Sequence, residues 1–448
     1  MAEAHLSPSP AATPPARLHD PLGWCLALTG LFALLAGWRL AVPSILYFDE
    51  VHYIPAAREW LAFLDTGAGQ FRNREHPPLA KELIAIGMAV FGDNPLGWRI
   101  VPWLSGVLAY FASIRALWHA SHDRFATLIF GVLLATGFPL FIHARIAMLD
   151  GVMAAALAVA AWQFAAACAQ PEQGRWRLAL TGVAIGCALG AKWNAIPLAM
   201  VPGITFFIAR ALAGRRRLLL SRRGAPVPGI TLVEAFVWLG IVPLAVYAAT
   251  YIPGYWLAAP LHPSPLAEQG LIGLHREMFE LQSQLRTPHR YMSQWDQWVL
   301  NTRGIWYLYE ITDGARRGVL LIGNPLTMLL GLPALAWCLL AGMWRKGEAG
   351  SGTRLAAALG YAASLGLWLI APKPVQFYYH YFVPSFFLLA ALALACSDLR
   401  RLPYGKWPAW GIPLASVAVF AFFFQILAGL PLARPDSFLV WAWLEGWR

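Results

Sequence analysis

The sequence predicts an all-α polytopic membrane protein with about eleven transmembrane helices, and three observations lead to that prediction. Of the 448 residues, 58% are hydrophobic and only 13% are charged, whereas a soluble domain carries about 25% charged residues. The apolar residues form repeated runs of roughly 20 residues, each long enough to cross a bilayer as a helix. Arginines are concentrated in short linkers between alternate runs, a distribution that sets orientation in membrane proteins.

The predicted spans follow one another closely, with two long interruptions. They cover residues 23–46, 97–118, 124–143, 147–168, 176–194, 196–213, 229–252, 318–344, 354–371, 376–397 and 410–431. A helix satisfies its own backbone hydrogen bonds, so each run can lie in hydrocarbon. The predicted parts are a disordered cytoplasmic N-terminus (1–22), an N-terminal transmembrane module (23–252), a cap loop (253–317) and a C-terminal transmembrane module (318–448).

The basic linkers assign a side of the membrane to each loop. Clusters such as residues 215–217 and 400–401 are expected on the cytoplasmic side. The two long segments, 47–96 and 253–317, then lie on the extracytoplasmic side, and both are long enough to fold. The first contains a predicted amphipathic helix along the membrane surface, from Val51 to Phe63.

A pair of carboxylates, Asp49 and Glu50, follows the first span on that same side. Ionisable groups near hydrocarbon are costly, so they usually mark a functional site or a water-filled cavity. On a helix, two adjacent side chains diverge by about 100°, and the pair would not share one proton. One carboxylate could act as a general base while the other orients a partner. Alternatively, the pair stabilises the N-terminus of a helix.

Three cations are predicted at a similar depth on the extracytoplasmic side. Arg145 stands at the start of the fourth span, Lys192 ends the fifth, and Lys373 begins the tenth. Each of them alone is more readily explained as an interfacial anchor. Together, and with His76 in the rigid His76-Pro77-Pro78 turn, they indicate an anion site, because guanidinium and ammonium groups bind phosphate.

Polar and aromatic side chains alternate along the cap loop. This mixture is typical of surfaces that contact sugars or peptides, although an interfacial aromatic belt explains it equally well. The candidates for sugar or acceptor contacts, in the cap and on neighbouring spans, are His275, His289, Tyr291, Ser293, Trp298, Asp150 and His380.

Several familiar motifs are absent from the sequence, among them the Walker loop, the dinucleotide fingerprint and HExxH. Zinc-finger spacing and a basic stripe interleaved with aromatics are absent too, so nucleic acid is not expected as a partner. One base with several cations suits sugar transfer from a phosphate, which leaves as a stable anion and needs no acid. A lipid-linked phosphate would fit a site at bilayer depth.

Short motifs occur in order between about residues 45 and 390. They are Phe48-Asp49-Glu50-Val51-His52, His76-Pro77-Pro78-Leu79-Ala80-Lys81, Ala144-Arg145 with Met148-Leu149-Asp150, Gly186 to Gly190 with Lys192-Trp193, His289-x-Tyr291-x-Ser293 leading to Trp298, Gly323-Asn324-Pro325, and Tyr379-His380-Tyr381-Phe382 with Pro384. This ordered set resembles the protein O-mannosyltransferases, in the short bacterial form that lacks the soluble β-trefoil insert.

The resemblance implies a GT-C membrane fold and an inverting transfer of mannose from polyprenyl-phosphate-mannose to Ser or Thr of secreted or periplasmic proteins. It places the reaction at the periplasmic face of a bacterial inner membrane, with no nucleotide sugar and no tightly bound metal, and it is compatible with a dimer. By position, Asp49 would be the base, with Glu50 beside it in the pocket. Arg145 would hold the donor phosphate, and Lys192, His76 and Lys373 would share that role.

Departures from the family pattern leave alternatives open. Arg290 stands where the family carries Pro after the central-loop His. The helix after His52 resembles the transferases that attach aminoarabinose to lipid A, so the acceptor could be lipid A or another glycan. A transporter or flippase would also explain the spans, but it would place charges on both sides and near the midplane, with internal symmetry.

Overall fold

The computed structural model of the chain describes residues 19–213, 218–284, 288–345, 350–371 and 373–448. The N-terminal stretch predicted to be disordered lies almost entirely outside these ranges, and so does the basic cluster at 215–217. Most of the described chain is helical, as the sequence predicts. The predicted division into two transmembrane modules and a cap stays a prediction.

The α-helices are numbered in chain order. The first nine are α1 (Leu22–Gly37), α2 (Glu50–Thr66), α3 (Leu79–Phe91), α4 (Pro95–Ser121), α5 (Arg124–Thr136), α6 (Pro139–His143), α7 (Leu149–Ala169), α8 (Gly174–Ala191) and α9 (Ile196–Leu212). The remaining helices are α10 (Leu232–Phe236), α11 (Val242–Ala249), α12 (Pro265–Ser283), α13 (Trp295–Val299), α14 (Pro325–Trp344), α15 (Ser351–Ile370), α16 (Phe382–Leu399) and α17 (Lys406–Leu427).

Eight helical segments of the described chain are long and apolar enough to cross a membrane, which confirms a multi-pass membrane protein. They correspond to eight of the predicted spans. The other three predictions fall on α1 and α5, which are apolar but shorter, and on α8. Glycines let α8 approach its neighbours closely, since a Cβ on Gly182 would lie 2.0 Å from the carbonyl oxygen of Trp238.

The candidate residues and the basic linkers lie at opposite ends of the helix bundle. Asp150 begins α7 and Lys192 follows α8, and their side chains meet at one end. At the far ends of their helices, Arg354 near the start of α15 pairs with Asp398 near the end of α16. The structure therefore separates the two groups as the alternating linkers predict.

A small antiparallel sheet in the cap was not predicted. Its strands are β1 (Ile305–Thr312), β2 (Ala315–Leu321) and β3 (Pro431–Leu432), in that order. The prediction of a span from residue 318 is wrong at its start, because β2 pairs with β1 there and α14 begins at Pro325. The short apolar run of β2 is buried against its neighbours, and periodicity alone does not distinguish such a run from a helix.

The first predicted span, 23–46, is also shorter in the structure. α1 ends at Gly37, and residues 38–49 form an irregular segment before α2. Pro43 removes a backbone donor and is incompatible with a continuing helix. This irregular segment delivers Asp49 and Glu50 to the end of the bundle where the other candidates lie.

Candidate active site

Glu50 is held in a fully buried ion pair with Arg99 of α4. Two short bonds join them, from Nε to Oε1 and from Nη2 to Oε2, each 2.8 Å long. The same carboxylate accepts the backbone N–H groups of Ala147 at 2.9 Å and Tyr47 at 3.3 Å. Both oxygens of Glu50 are therefore engaged, and its side chain has no exposed surface.

Arg99 also holds the irregular segment in place. Its Nη atoms donate to the carbonyl oxygens of Pro43 at 2.5 Å and Ile45 at 2.8 Å. The sequence reasoning missed this residue, although a signal was present. Arg99 lies within the predicted span 97–118, and an ionisable side chain inside a span usually has a buried partner.

Asp49 is the less engaged of the two carboxylates. It occupies the N-cap position of α2 without a capping hydrogen bond from its side chain. It is partly exposed and accepts a long hydrogen bond of 3.4 Å from Tyr53 Oη. Burial raises the pKa of the Asp49 carboxyl, and the positive charge of Lys192 opposes that shift. Asp150, His52 and Lys373 are also close enough to act on it. A general-base role for Asp49 stays a prediction.

Asp150 and Lys192 form the second buried ion pair of the site. Lys192 Nζ lies 2.6 Å from Asp150 Oδ2, and both side chains are almost completely buried. The same ammonium lies 5.0 Å from the centre of the Tyr379 ring. The sequence predicts Lys192 for a phosphate and Asp150 for a sugar, and the structure brings the two together beside Asp49.

Aromatic side chains from three parts of the chain pack together next to these charged groups. Phe48 stacks on Tyr307 of β1 with ring centres 4.1 Å apart, and Tyr379 lies edge-on to Phe48 at 5.9 Å. Tyr307 Oη also lies 3.3 Å from Nε2 of the buried His143. Sequence reasoning missed Tyr307, because nothing local indicated that a cap strand would reach the carboxylates.

Arg145 binds backbone oxygens at the end of α1. Its Nη1 donates to the carbonyls of Ala36 and Trp38, each at 2.7 Å. Such a cation stabilises the unsatisfied C-terminal carbonyls of a helix. Its own carbonyl accepts Tyr47 Oη at 3.3 Å, so Arg145 borders the segment that carries Asp49. A contact between Arg145 and a donor phosphate stays a prediction.

A polar cavity of about 480 Å³ lies over α2, beside His52. Arg72, Asn73, Arg74 and Glu75 from the α2–α3 loop form part of its wall. Lys81, which is buried, organises that loop, since its Nζ donates to the carbonyls of Asn73 at 2.6 Å and His76 at 3.0 Å.

The predicted His76 lies where this loop meets the cap. Its Nδ1 is 3.3 Å from Nε2 of Gln282 on α12, which also donates to the carbonyl of Glu75 at 2.8 Å. The Tyr53 ring stands edge-on to the His76 ring at 6.0 Å, so His76 is linked to Asp49 through Tyr53.

Two of the cap candidates hold the cap to the bundle. Trp298 Nε1 donates to Ser293 Oγ at 2.8 Å, and both residues are buried. The Ser293 N–H in turn donates to the carbonyl of Gln376 at 2.9 Å. A second cavity of about 250 Å³ lies beside this contact, lined in part by Ser293, Trp368 and Lys373.

The remaining cap candidates occupy different surroundings. His289 and Tyr291 lie together near the surface, with ring centres 5.7 Å apart. His275 of α12 lies 2.6 Å from Tyr247 Oη, which accepts Trp193 Nε1 at 2.8 Å. His275 thus joins α12 to α11, on the side of the site where Trp193 follows Lys192.

The fold and the pocket define a multi-pass membrane glycosyltransferase of the GT-C type, with paired carboxylates and cations at one end of the bundle. Two family models match the chain and together cover more than half of it. Dolichyl-phosphate-mannose-protein mannosyltransferase matches residues 94–259, and the C-terminal four-transmembrane region of protein O-mannosyltransferase matches residues 268–447. The chain belongs to the protein O-mannosyltransferase family.

Similar proteins extend over nearly the whole chain. The polyprenol-phosphate-mannose–protein mannosyltransferase of Mycolicibacterium smegmatis is 26% identical, over 99% of this chain and 97% of the relative. The Saccharomyces cerevisiae protein O-mannosyltransferase Pmt1-Pmt2 complex bound to the sugar donor has a TM-score of 0.79 at 14% identity, covering 96% of this chain and 93% of the other. ArnT of Cupriavidus metallidurans bound to undecaprenyl phosphate has a TM-score of 0.56 at 18% identity, covering 94% and 69%. These solved structures confirm the fold.

Proposed function

We propose that this protein transfers mannose from polyprenyl-phosphate-mannose to Ser or Thr hydroxyls of proteins, at the extracytoplasmic face of a bacterial inner membrane. The observation that carries the proposal is the difference between the surroundings of Asp49 and those of Glu50. Arg99 binds both carboxylate oxygens of Glu50. Asp49 is partly exposed and is close enough to Lys192 for the lysine charge to act on it. The family and the names of the full-length relatives support mannose as the sugar and protein as the acceptor.

The reaction balances with one base and no acid. The acceptor hydroxyl gives its proton to an Asp49 oxygen while its own oxygen forms a bond to the anomeric carbon. On the opposite face of the sugar, the bond from that carbon to the phosphate oxygen breaks. The electron pair departs with the polyprenyl phosphate, so the configuration is inverted. The developing charge is stabilised by nearby cations.

Three basic side chains are the leading candidates for that stabilisation. Lys192 and Lys373 both act electrostatically on Asp49. The His76 ring contacts the ring of Tyr53, whose Oη donates to Asp49. Lys192 would share its charge between Asp150 and the phosphate. Arg145 would have to release the α1 carbonyls before it could join them, so we rank it below the other three.

The test is incubation of the purified full-length protein in detergent or liposomes with polyprenyl-phosphate-mannose and a Ser/Thr-rich peptide. We expect a peptide mass increase of one hexose, which β-elimination removes. A parallel reaction replaces the peptide with lipid A. Modification of lipid A and not of the peptide would overturn the protein acceptor while leaving the chemistry intact. Modification of neither, with a functional donor, would overturn the proposal.

A further inference from the structure

His380 carries a buried hydrogen-bond donor that the described residues leave unused. The side chain is 4% exposed, and its Nδ1 accepts the backbone N–H of Phe377 at 3.1 Å. A nitrogen that accepts a hydrogen bond carries no proton, so the neutral ring holds its proton on Nε2. Among the described residues, Nε2 has no hydrogen-bond partner. Such a group is rare in a folded protein and costly unless a ligand or water satisfies it.

The ring of His380 cannot turn to find another partner. It stacks on Trp368 with ring centres 3.6 Å apart, and Tyr379 and Trp298 lie at 4.4 and 5.7 Å. Trp298 is itself held by its hydrogen bond to Ser293. The aromatic packing and the Phe377 N–H together fix the direction of the Nε2–H bond.

Three basic side chains act electrostatically on His380, namely Lys373, Lys192 and His76. These are the residues that the proposed function ranks first for the donor phosphate. A hydrogen-bond donor near two lysines is matched by a ligand oxygen that carries or borders negative charge. Lys373 and Trp368, on which His380 stacks, also line the cavity of about 250 Å³.

We propose that His380 binds the donor substrate, by donating its Nε2–H to an oxygen of the phosphate-linked sugar. The inference rests on the proposed function, and it narrows the role predicted for His380, in sugar or acceptor contacts, to a hydrogen bond with the donor. His380 acts in its neutral form, as a hydrogen-bond donor and not as a proton carrier. The backbone N–H of Phe377 fixes the tautomer of His380, because it donates to Nδ1 and so leaves the ring proton on Nε2.

Two substitutions separate the hydrogen bond from the packing. His380→Phe keeps a flat ring between Trp368 and Trp298 and removes both nitrogens. His380→Gln loses the ring but offers an amide N–H close to the position of Nε2.

His122→Asn, at the opposite end of the bundle where α4 ends, serves as the control. We expect His380→Phe to raise the donor KM about threefold to tenfold, as for loss of one hydrogen bond, with the acceptor KM unchanged. Thermal stability should fall slightly, because the Phe377 N–H loses its acceptor. His380→Gln should recover part of the loss.

Direct binding of two lipids shows which oxygen is involved. Polyprenyl phosphate and polyprenyl-phosphate-mannose are titrated into wild type and His380→Phe. Equal weakening of both places the oxygen on the phosphate, and weakening of the mannosylated lipid alone places it on the sugar; either result supports the proposal. Unchanged donor affinity in His380→Phe would overturn it, and so would an effect confined to the acceptor. Donor binding also separates the two proposals, since it can depend on His380 even if the wild type transfers no sugar to peptide.

Discussion

Arg99 and Glu50 form a two-bonded ion pair, with neither side chain exposed, that ties α4 to the first residue of α2. Removing one partner of such a pair leaves an uncompensated buried charge, which costs about 3–5 kcal/mol. We therefore expect Arg99→Ala to lower the unfolding temperature markedly and to abolish transfer, because the segment carrying Asp49 loses its anchor. Thermal unfolding in detergent, followed together with transfer activity, measures both effects.

The chain offers a matched control for this prediction. Arg58 and Asp93 form a pair with the same two-bonded geometry, at 2.7 and 3.1 Å, but their side chains are 42% and 36% exposed. Exposed pairs contribute roughly 0–1 kcal/mol, so Arg58→Ala should change stability little. Equal destabilisation by the two substitutions would contradict a special role for the buried pair.

Asp49→Asn should reduce the transfer rate by about 10²–10⁴-fold, as for loss of a general base. The amide keeps the shape of the side chain, so donor binding and thermal stability should remain close to wild type. Glu50→Gln is the comparison, because it disturbs the pair with Arg99 and should lower stability as well as rate. Measurement of kcat, donor KM and unfolding temperature distinguishes the two patterns. Wild-type turnover by Asp49→Asn would remove it as the base.

The rate of transfer should fall towards acidic pH. Asp49 must be ionised to accept a proton, and burial raises the pKa of its carboxyl above the ordinary value of 3.8. Activity is therefore lost as the pH falls through that raised pKa. Lys373 lowers the pKa of Asp49, so Lys373→Gln should move the acidic limb of the kcat/KM profile to higher pH. An acidic limb that stays in place or moves to lower pH would be inconsistent with this arrangement.

Lys81 should affect donor binding through the loop that it holds. Lys81→Met removes the donor to the carbonyls of Asn73 and His76, so the cavity wall loses its order. We expect the donor KM to rise while kcat changes less, with partial recovery in Lys81→Arg. The exposed Lys406, at the start of α17, is the control site for a Lys→Met substitution. A fall in kcat at constant donor KM would count against the loop as the route of the effect.

The sequence predicted the features that depend on local composition. Long apolar runs identify the spans, and the amphipathic stretch after Asp49 identifies α2, which the structure extends from Glu50 to Thr66. The different surroundings of Asp49 and Glu50 agree with the divergence of about 100° expected for adjacent residues of a helix. The candidate residues at the ends of α7, α8 and α16 were found because ionisable groups at bilayer depth stand out in an apolar chain.

What the sequence did not show depends on partners distant along the chain. Glu50 and Arg99 are separated by 49 residues, and no local pattern pairs them. The sequence does not show which groups Arg145 contacts. In the structure its guanidinium donates to the carbonyl oxygens of Ala36 and Trp38, more than 100 residues earlier in the chain. β1 brings Tyr307 to Phe48 from the far side of the cap, which requires the tertiary fold.

The segment between α1 and α2 is held by two arginines through main-chain oxygens. Arg145 binds Ala36 and Trp38, while Arg99 binds Pro43 and Ile45. Every amino acid supplies a backbone carbonyl oxygen. Exposed positions in the segment, such as Ala41, can therefore be substituted without losing the hydrogen bonds to the two arginines. Homologues could thus diverge freely in this stretch, and engineered labels could be attached to it, while Asp49 keeps its position.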